Sequence, residues 1–314
     1  MTAFLEMLTV AGLAVGALLT VLGFLAARHP LFDVVNQGRM LALIGSLAVL
    51  VLALLVGNGT LIAASALIAI ANATLFAQGL PGAADSAPQG TPRFLRLVTF
   101  NVWKRNTRLD DVVALLDATD ADLVVLQEVT AKLRGRLRKL TKPRYPYLIG
   151  DIGIVILSKI PVLASGQVDG ANADGLARKP VLLWTRFDVE GFAFELIGVH
   201  PAFPFRPRDQ VADTDALIQF VRSREGPLIV AGDFNLTPWS WGLRRFTRET
   251  GLKRFNTLRP TWPVRRLIRL VPLVPIDHVF ASCAFKRLRI KIGSSAGSDH
   301  LPVVADIALA AHRP

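Results

Sequence analysis

Three apolar runs crowd into the first 80 residues, and they limit what this chain can fold into. Phe4 to Ala27 carries one charge, Glu6, near its start; Met40 to Val56 carries none; Leu61 to Leu80 carries none, with Asn72 and Gln78 as polar exceptions. A helix needs about 20 residues, in a range of roughly 17–25, to cross the hydrocarbon of a bilayer. All three runs meet that length, so the sequence predicts a membrane domain over 1–80 with transmembrane helices at 4–27, 40–56 and 61–80. A cleaved signal peptide would account for the first run and leave the other two unexplained. Soluble surface helices carry a polar stripe, which these runs lack. Arg28–Arg39 joins the first two spans, and Gly57-Asn58-Gly59-Thr60 joins the second and third as a tight turn.

Composition enters because the rest of the chain looks different. The whole is 52 % apolar and 19 % charged, which excludes disordered, collagenous and disulfide-stapled classes. Only two of the 36 basic and three of the 24 acidic residues fall in 1–90, leaving about +13 on the remainder. Such a balance favours an anionic partner: phosphate, nucleic acid or lipid head groups. Cys283 is the single cysteine, so no intrachain disulfide forms and no cysteine-based zinc site is available.

Residues 81–92, PGAADSAPQGTP, read as a flexible linker. From 93 to 314 short β-type runs alternate with helical patterns. Strands are expected at 94–100, 122–127, 152–157, 181–189, 192–199, 228–231, 285–292 and 303–309. Helices are expected at 109–118, 209–222 and about 240–250. That alternation indicates a two-layered α/β sandwich.

Polar motifs punctuate the strand ends. Thr99-Phe-Asn-Val-Trp103, Leu126-Gln-Glu-Val129, Val199-His-Pro201 and Ala231-Gly-Asp-Phe-Asn235 end strands; Ile276-Asp-His-Val279 and Ser298-Asp-His-Leu-Pro302 follow late. Glu128 is a hard oxygen ligand of the kind Mg²⁺ or Mn²⁺ prefers. Asn101 can fix a ligand or a phosphate oxygen without adding charge. Asp233 can take a proton from water, and Asn235 shares its face if the segment is extended. His200 and His300 can donate to a phosphate oxygen as charge builds there. Asp277 or Asp299 can hold a histidine tautomer. Each residue alone also has an ordinary structural explanation, such as a turn or a strand-end surface group.

Taken in order, Asn101, Gln127-Glu128, His200, Gly232-Asp233-Phe234-Asn235, Asp277-His278 and Ser298-Asp299-His300 resemble the motifs of the endonuclease/exonuclease/phosphatase superfamily. Ile156-Leu-Ser-Lys-Ile-Pro161 is similar to that family's middle strand and turn, and the resemblance covers roughly 94–309. It implies a four-layer α/β sandwich, two mixed β-sheets flanked by helices, and a metal-dependent phosphoesterase. Carried over residue by residue, Glu128, Asn101 and Asp299 would hold the divalent metal. Asp233 would activate water with Asn235 positioning it. His300, oriented by Asp277, and His200 would meet the phosphate. The N-terminal third is similar to membrane-anchored bacterial members, including the type associated with glycopeptide resistance. His200-Pro-Ala-Phe-Pro204 with Arg206, Arg208 and Gln210 shares that branch's pattern.

Two expectations about the surroundings follow. Residues 244–269 hold nine basic residues and one acid, Glu249, with Trp239 and Trp241 just before them and Trp262 among them, and Arg265, Arg266 and Arg269 are candidate contacts to a bilayer surface or substrate. Topology receives opposing signals. With three spans the Arg28–Arg39 loop shares a side with the catalytic part, and its two arginines favour the cytoplasm; the membrane-anchored relatives imply the outside. The reading adopted is a bacterial inner-membrane protein with its catalytic part extracytoplasmic, acting on a phosphorylated lipid or lipid-linked pyrophosphate. A membrane-tethered nuclease that binds nucleic acid, and a non-catalytic phospho-ligand-binding protein, are the alternatives.

Overall fold

A computed structural model describes residues 2–82, 94–171, 177–255, 258–264 and 274–309. Residues 83–92 of the expected linker and the candidate contacts Arg265, Arg266 and Arg269 lie outside the described residues. The chain divides into two compact units: 1–80 with 237–245, and 81–236 with 246–314.

The first unit holds α1 (Thr2–Phe24), α2 (Pro30–Asp33), α3 (Arg39–Val56) and α4 (Gly59–Ala77). Thr2–Ala27, Pro30–Val56 and Gly59–Ala77 are long and apolar enough to cross a membrane. The tight turn is built from two caps placed back to back. Gly57 ends α3 at φ 76°, and Asn58 starts α4 by accepting from the Thr60 and Leu61 amides at 3.0 and 3.3 Å. Most of the expected 28–39 linker is helical, as α2 and a 3-10 stretch over Val34–Gly38.

Several of the unit's polar side chains turn inward. Arg39, 1 % exposed, donates to Asn72 at 2.8 Å and to Asn36, and Asn72 donates to Thr20 at 2.9 Å. Gly23 leaves room for this pair, since a Cβ on it would crowd the Arg39 guanidinium and Asn36 Oδ1, and one of them would have to shift. Residues 237–245 complete the unit. Gln37 accepts from the Thr237 amide at 2.8 Å, and Trp239 stacks on Phe76 with ring centroids 5.2 Å apart. The Asp33 carboxylate accepts from the Trp241 and Gly242 amides at 2.6 and 3.0 Å, a cap supplied from a distant segment.

The second unit contains β1 (Phe94–Asn101), α5 (Leu109–Thr119), β2 (Leu123–Val129), α6 (Ala131–Leu140), β3 (Tyr147–Gly150), β4 (Gly153–Ser158), β5 (Val162–Ala171), β6 (Ala177–Val189), β7 (Phe192–Val199), α7 (Pro207–Arg222) and β8 (Leu228–Asp233). After α8 (Trp241–Thr250), which starts in the first unit, come β9 (Lys253–Arg254), β10 (Asp277–Ala281), β11 (Phe285–Ile292) and β12 (Val303–Leu309). They form two six-stranded sheets, in the orders β11-β12-β1-β2-β4-β3 and β5-β6-β7-β8-β10-β9. Each sheet is antiparallel except for one parallel pair, β1–β2 and β7–β8 respectively.

Alternation along the strands sorts the core into layers. Leu95 and Leu97 of β1 and Leu123 and Val125 of β2 meet Leu196, Ile229 and Val279 between the sheets. Val98, Phe100, Val124 and Leu126 point the other way, onto Val112, Val113 and Leu116 of α5 and Leu133 and Leu137 of α6. Helix α7 lies against β5 and β6, burying Leu217, Ile218 and Val221. Two mixed sheets between helices are the four layers that the family resemblance implies. Strands covered on both faces explain why β1 and β2 read as nearly continuous apolar runs.

Candidate active site

The two parallel pairs set the site. In the first sheet Asn101 lies opposite Gln127, so Asn101 and Glu128 leave their strands side by side. At that point β2 bulges: its register against β4 shifts between Leu126 and Val129, and Glu128 takes φ 58°. A bulge of this kind re-aims a side chain. In the second sheet Val199 pairs with Gly232 and Asp277 with Asp233, which brings His200, Asp233 and Asp277 together. Gly232 has no room for a side chain, because a Cβ would sit 2.1 Å from the Val199 carbonyl oxygen. The loop before β12 is tied in by Ser298, whose hydroxyl donates to the Asn101 carbonyl at 2.7 Å and accepts from the His300 amide at 3.0 Å.

The side chains converge. His300 Nδ1 lies 3.0 and 3.3 Å from the two Asp277 oxygens, and its Nε2 lies 3.7 Å from Asp233 Oδ2. His200 Nε2 is 3.6 Å from the same oxygen and 4.0 Å from Glu128 Oε1. Asn101 Nδ2 donates to Asp233 at 2.9 Å and to Glu128 at 3.4 Å, and the Lys104 amide donates to Glu128 Oε2 at 2.9 Å. Asp299 Oδ2 accepts from the Trp262 indole at 3.2 Å.

Asn235 behaves differently from an extended residue. The chain leaves β8 at Asp233 and takes φ 53° at Asn235. Its amide N–H donates to Asp233 Oδ1 at 2.8 Å, while its side chain donates to the Pro201 carbonyl at 3.0 Å. It therefore holds both Asp233 and the loop after His200.

Electrostatics separate the groups. Burial disfavours the His300 cation, but Asp277, then Asp233 and Asp299 overcome it and raise the ring to about 10. Burial lifts Asp233 above the usual carboxylate range, with Asp277 adding to the lift and His300, His200 and Asn101 opposing it. Glu128 is also disfavoured by burial, yet the Lys104 amide, His200 and Asn101 hold it below the ordinary range. Burial raises Asp299, with Glu128 adding to the lift and His300 opposing it. The site thus pairs a histidine of raised proton affinity with a low carboxylate and two raised ones, a pattern suited to acid–base work.

The donor chemistry fits a hard divalent cation. Glu128 offers a charged oxygen, and Asp299 Oδ1 is buried with no hydrogen-bond partner among the described residues. Asp233, Asp277 and His300 also offer ligand atoms within 4.8 Å of one another. That trio is better read as a hydrogen-bond chain, because His300 Nδ1 is engaged by Asp277 and its Nε2 faces Asp233 at 3.7 Å.

Several contributors carry no sequence signal. Thr261, fully buried, accepts from the Ile276 and Asp277 amides at 3.2 and 3.4 Å and so fixes the start of β10. The Lys104 amide is a similar case, whereas Trp262, grouped in sequence with the basic stretch, holds Asp299 here. Only the assembled fold identifies them.

This arrangement is that of a known class. The sequence profile described as Endonuclease/Exonuclease/phosphatase family matches residues 98–300, more than half of the chain. The chain belongs to that family of metal-dependent phosphoric ester hydrolases, whose members include phosphodiesterases, nucleases and phosphatases. Among solved structures, a family protein from Bacteroides thetaiotaomicron is 18 % identical, with TM-score 0.61, over 70 % of this chain and 99 % of its own. D. rerio TDP2, complexed with a single-strand DNA product, is 17 % identical, with TM-score 0.57, over 68 % and 98 %. Beta toxin from Staphylococcus aureus, a variant with bound magnesium ions, is 16 % identical, with TM-score 0.54, over 68 % and 99 %.

Proposed function

We propose that this chain is a membrane-anchored, Mg²⁺-dependent phosphoesterase that hydrolyses a phosphorylated lipid or lipid-linked pyrophosphate by in-line attack of water. The observation that carries the reading is the Asp277–His300–Asp233 chain standing beside Glu128 and His200, in a protein with three helices able to cross a bilayer. Glu128, Asp299 and Asn101 would hold the cation, which supplies Lewis-acid charge stabilisation and a template for the phosphate. Asp233 takes the proton from the attacking water; its raised affinity for protons suits a base working near neutrality. His300 donates to a phosphate oxygen from Nε2 while Asp277 holds Nδ1, and His200 donates to the charge that builds in the transition state. Asn235 keeps Asp233 and the His200 loop in register.

We assign the catalytic part to the extracytoplasmic side of a bacterial inner membrane. Two loop arginines argued for the cytoplasm, but Arg39 is buried on Asn36 and Asn72, which leaves Arg28 as the one exposed. The test of activity is purified full-length protein in detergent, assayed on lipid phosphates, lipid pyrophosphates and nucleic acids with Mg²⁺ or with chelator. Phosphate release that needs metal and is nearly abolished by Asp233→Asn and by His300→Ala is expected. Turnover that survives both changes refutes the reading. The net charge of +12 and the DNA product bound by the fold relative support a second reading, a tethered nuclease. Metal-dependent cleavage of DNA or RNA with no turnover of lipids would select it.

A further inference from the structure

A row of aromatic rings leads from the candidate active site to solvent. Trp262 lies 6.3 Å from the His300 ring, Phe203 lies 6.0 Å from Trp262, and Phe205 lies 5.3 Å from Phe203. Exposure rises outward, with Phe203 at 37 % and Phe205 at 70 %. The inner ring is fixed in place: the Trp262 indole N–H is used by Asp299, so its remaining surface is apolar. The outer two sit on a braced loop. The Ala202 amide donates to Asp213 at 2.7 Å, the Arg206 amide donates to the Phe203 carbonyl at 2.8 Å, and Asn235 holds Pro201.

Scattered exposed apolar residues are ordinary. Two phenylalanines in mutual contact, continuous with a tryptophan beside the phosphate-binding histidine, are not scattered. We propose that Trp262, Phe203 and Phe205 form the subsite for the hydrocarbon chain next to the scissile phosphate; this rests on the phosphoesterase reading above and gives its substrate an apolar arm. The ring orientations favour hydrocarbon over a nucleobase. Phe203 meets Trp262 at 70°, and Phe203 and Phe205 are tilted by 34°, so successive rings do not offer parallel faces for base stacking. A flexible methylene chain packs on ring faces and edges alike. The three apolar helices give such a substrate a reason to be at hand.

The experiment uses full-length protein in detergent with Mg²⁺ and a series of alkyl 4-nitrophenyl phosphates (butyl, hexyl, octyl), each below its micelle concentration. For the parent, kcat/KM rises with chain length, by up to about fourfold per buried methylene. In Phe203→Ser/Phe205→Ser that slope flattens by at least half. In Phe203→Leu/Phe205→Leu it persists, because apolar surface is kept while the rings are lost. Leu163→Ser, at an exposed position on β5 outside the site, keeps the parental slope and controls for surface hydrophobicity. Parental turnover with no chain-length dependence, or a slope indifferent to the serine changes, overturns the subsite alone. A preference for thymidine 4-nitrophenyl phosphate that the leucine variant loses also overturns it, in favour of base stacking. A parent with no metal-dependent turnover of any member removes the phosphoesterase reading and the subsite with it.

Discussion

Asp277→Asn separates the two things a carboxylate does for a neighbouring histidine. Asp277 is fully buried and lies 3.0 and 3.3 Å from His300 Nδ1, so it both orients the ring and stabilises its positive charge. Asparagine can still accept from Nδ1 but brings no charge. A hydrogen bond to a charged group contributes roughly 1.5–3 kcal/mol, and each 1.36 kcal/mol is tenfold in rate, so kcat falls roughly 10- to 150-fold. KM changes little, since Asp277 is placed to position His300 and not to touch substrate. Asp277→Ala loses orientation as well and falls further. The pH profile moves in a definite direction. His300 is held at about 10, with Asp277 the largest of the influences that raise it against burial. Without that charge, burial pushes the ring's proton affinity down, and the alkaline limb of kcat shifts acidward. Hydrolysis of a 4-nitrophenyl phosphodiester at saturating Mg²⁺, from pH 5 to 10, reads both effects. A variant within threefold of the parent at every pH refutes the assignment of Asp277 as the partner that makes His300 work.

How much of this was legible in sequence depended on whether a feature is written locally. The three apolar runs are helices because nothing along them offers an alternative to continuing the helix. Strands β1, β2, β7 and β8 are legible because they are covered on both faces and read as apolar runs. Helix α6 was not, because half of Ala131–Leu140 is charged and it buries only Leu133 and Leu137. Strand β5, with glycine and serine in Val162–Ala171, has weak β preference and forms on the template of β6. β10 is five residues long and begins on Asp277, so it reads as a motif instead of a strand. The site divides the same way. Each motif could be placed at a strand end, but partners such as Thr261, Trp262 and the Lys104 amide come from other segments and carry ordinary residue types. The left-handed turn at Asn235 was half visible: Gly-Asp-Phe-Asn is compatible with a turn as well as with an extended strand, and the close contacts to Asp233 and Pro201 decide for the turn.

Burial holds the His278 ring neutral, at about 3 against an ordinary 6.5, with Nε2–H donating to the Leu236 carbonyl at 2.8 Å. Above pH 6.5 the ring is neutral folded or unfolded; below it the unfolded chain binds a proton that the folded ring refuses, so stability measured by thermal melting in detergent falls as pH drops toward 3, and His278→Asn flattens that fall. Asp33→Ala removes the cap on the Trp241 and Gly242 amides and destabilises by about 1 kcal/mol, whereas Asp33→Asn retains most of it; equal melting of the two variants contradicts the cap. Gly232→Ala forces a methyl against the Val199 carbonyl and costs about 1–3 kcal/mol by the same measurement, with an unchanged melt excluding that crowding. The fullest test of the metal assignment is Glu128. Its φ of 58° is rare for a residue of this type and is held by the bulge in β2, so its carboxylate reaches the Lys104 amide and Asn101 along one fixed direction. Glu128→Gln keeps the shape and loses the charge, while Glu128→Asp keeps the charge and withdraws it by a bond length. If Glu128 holds the cation, both variants need on the order of tenfold or more Mg²⁺ for half-maximal rate, because cation affinity follows ligand charge and placement. Excess Mg²⁺ recovers part of the rate in each. If Glu128 served only to brace Asn101 and Lys104, Glu128→Gln would keep the parental Mg²⁺ dependence, and the cation would have to be assigned to Asp233, Asp277 and His300 instead.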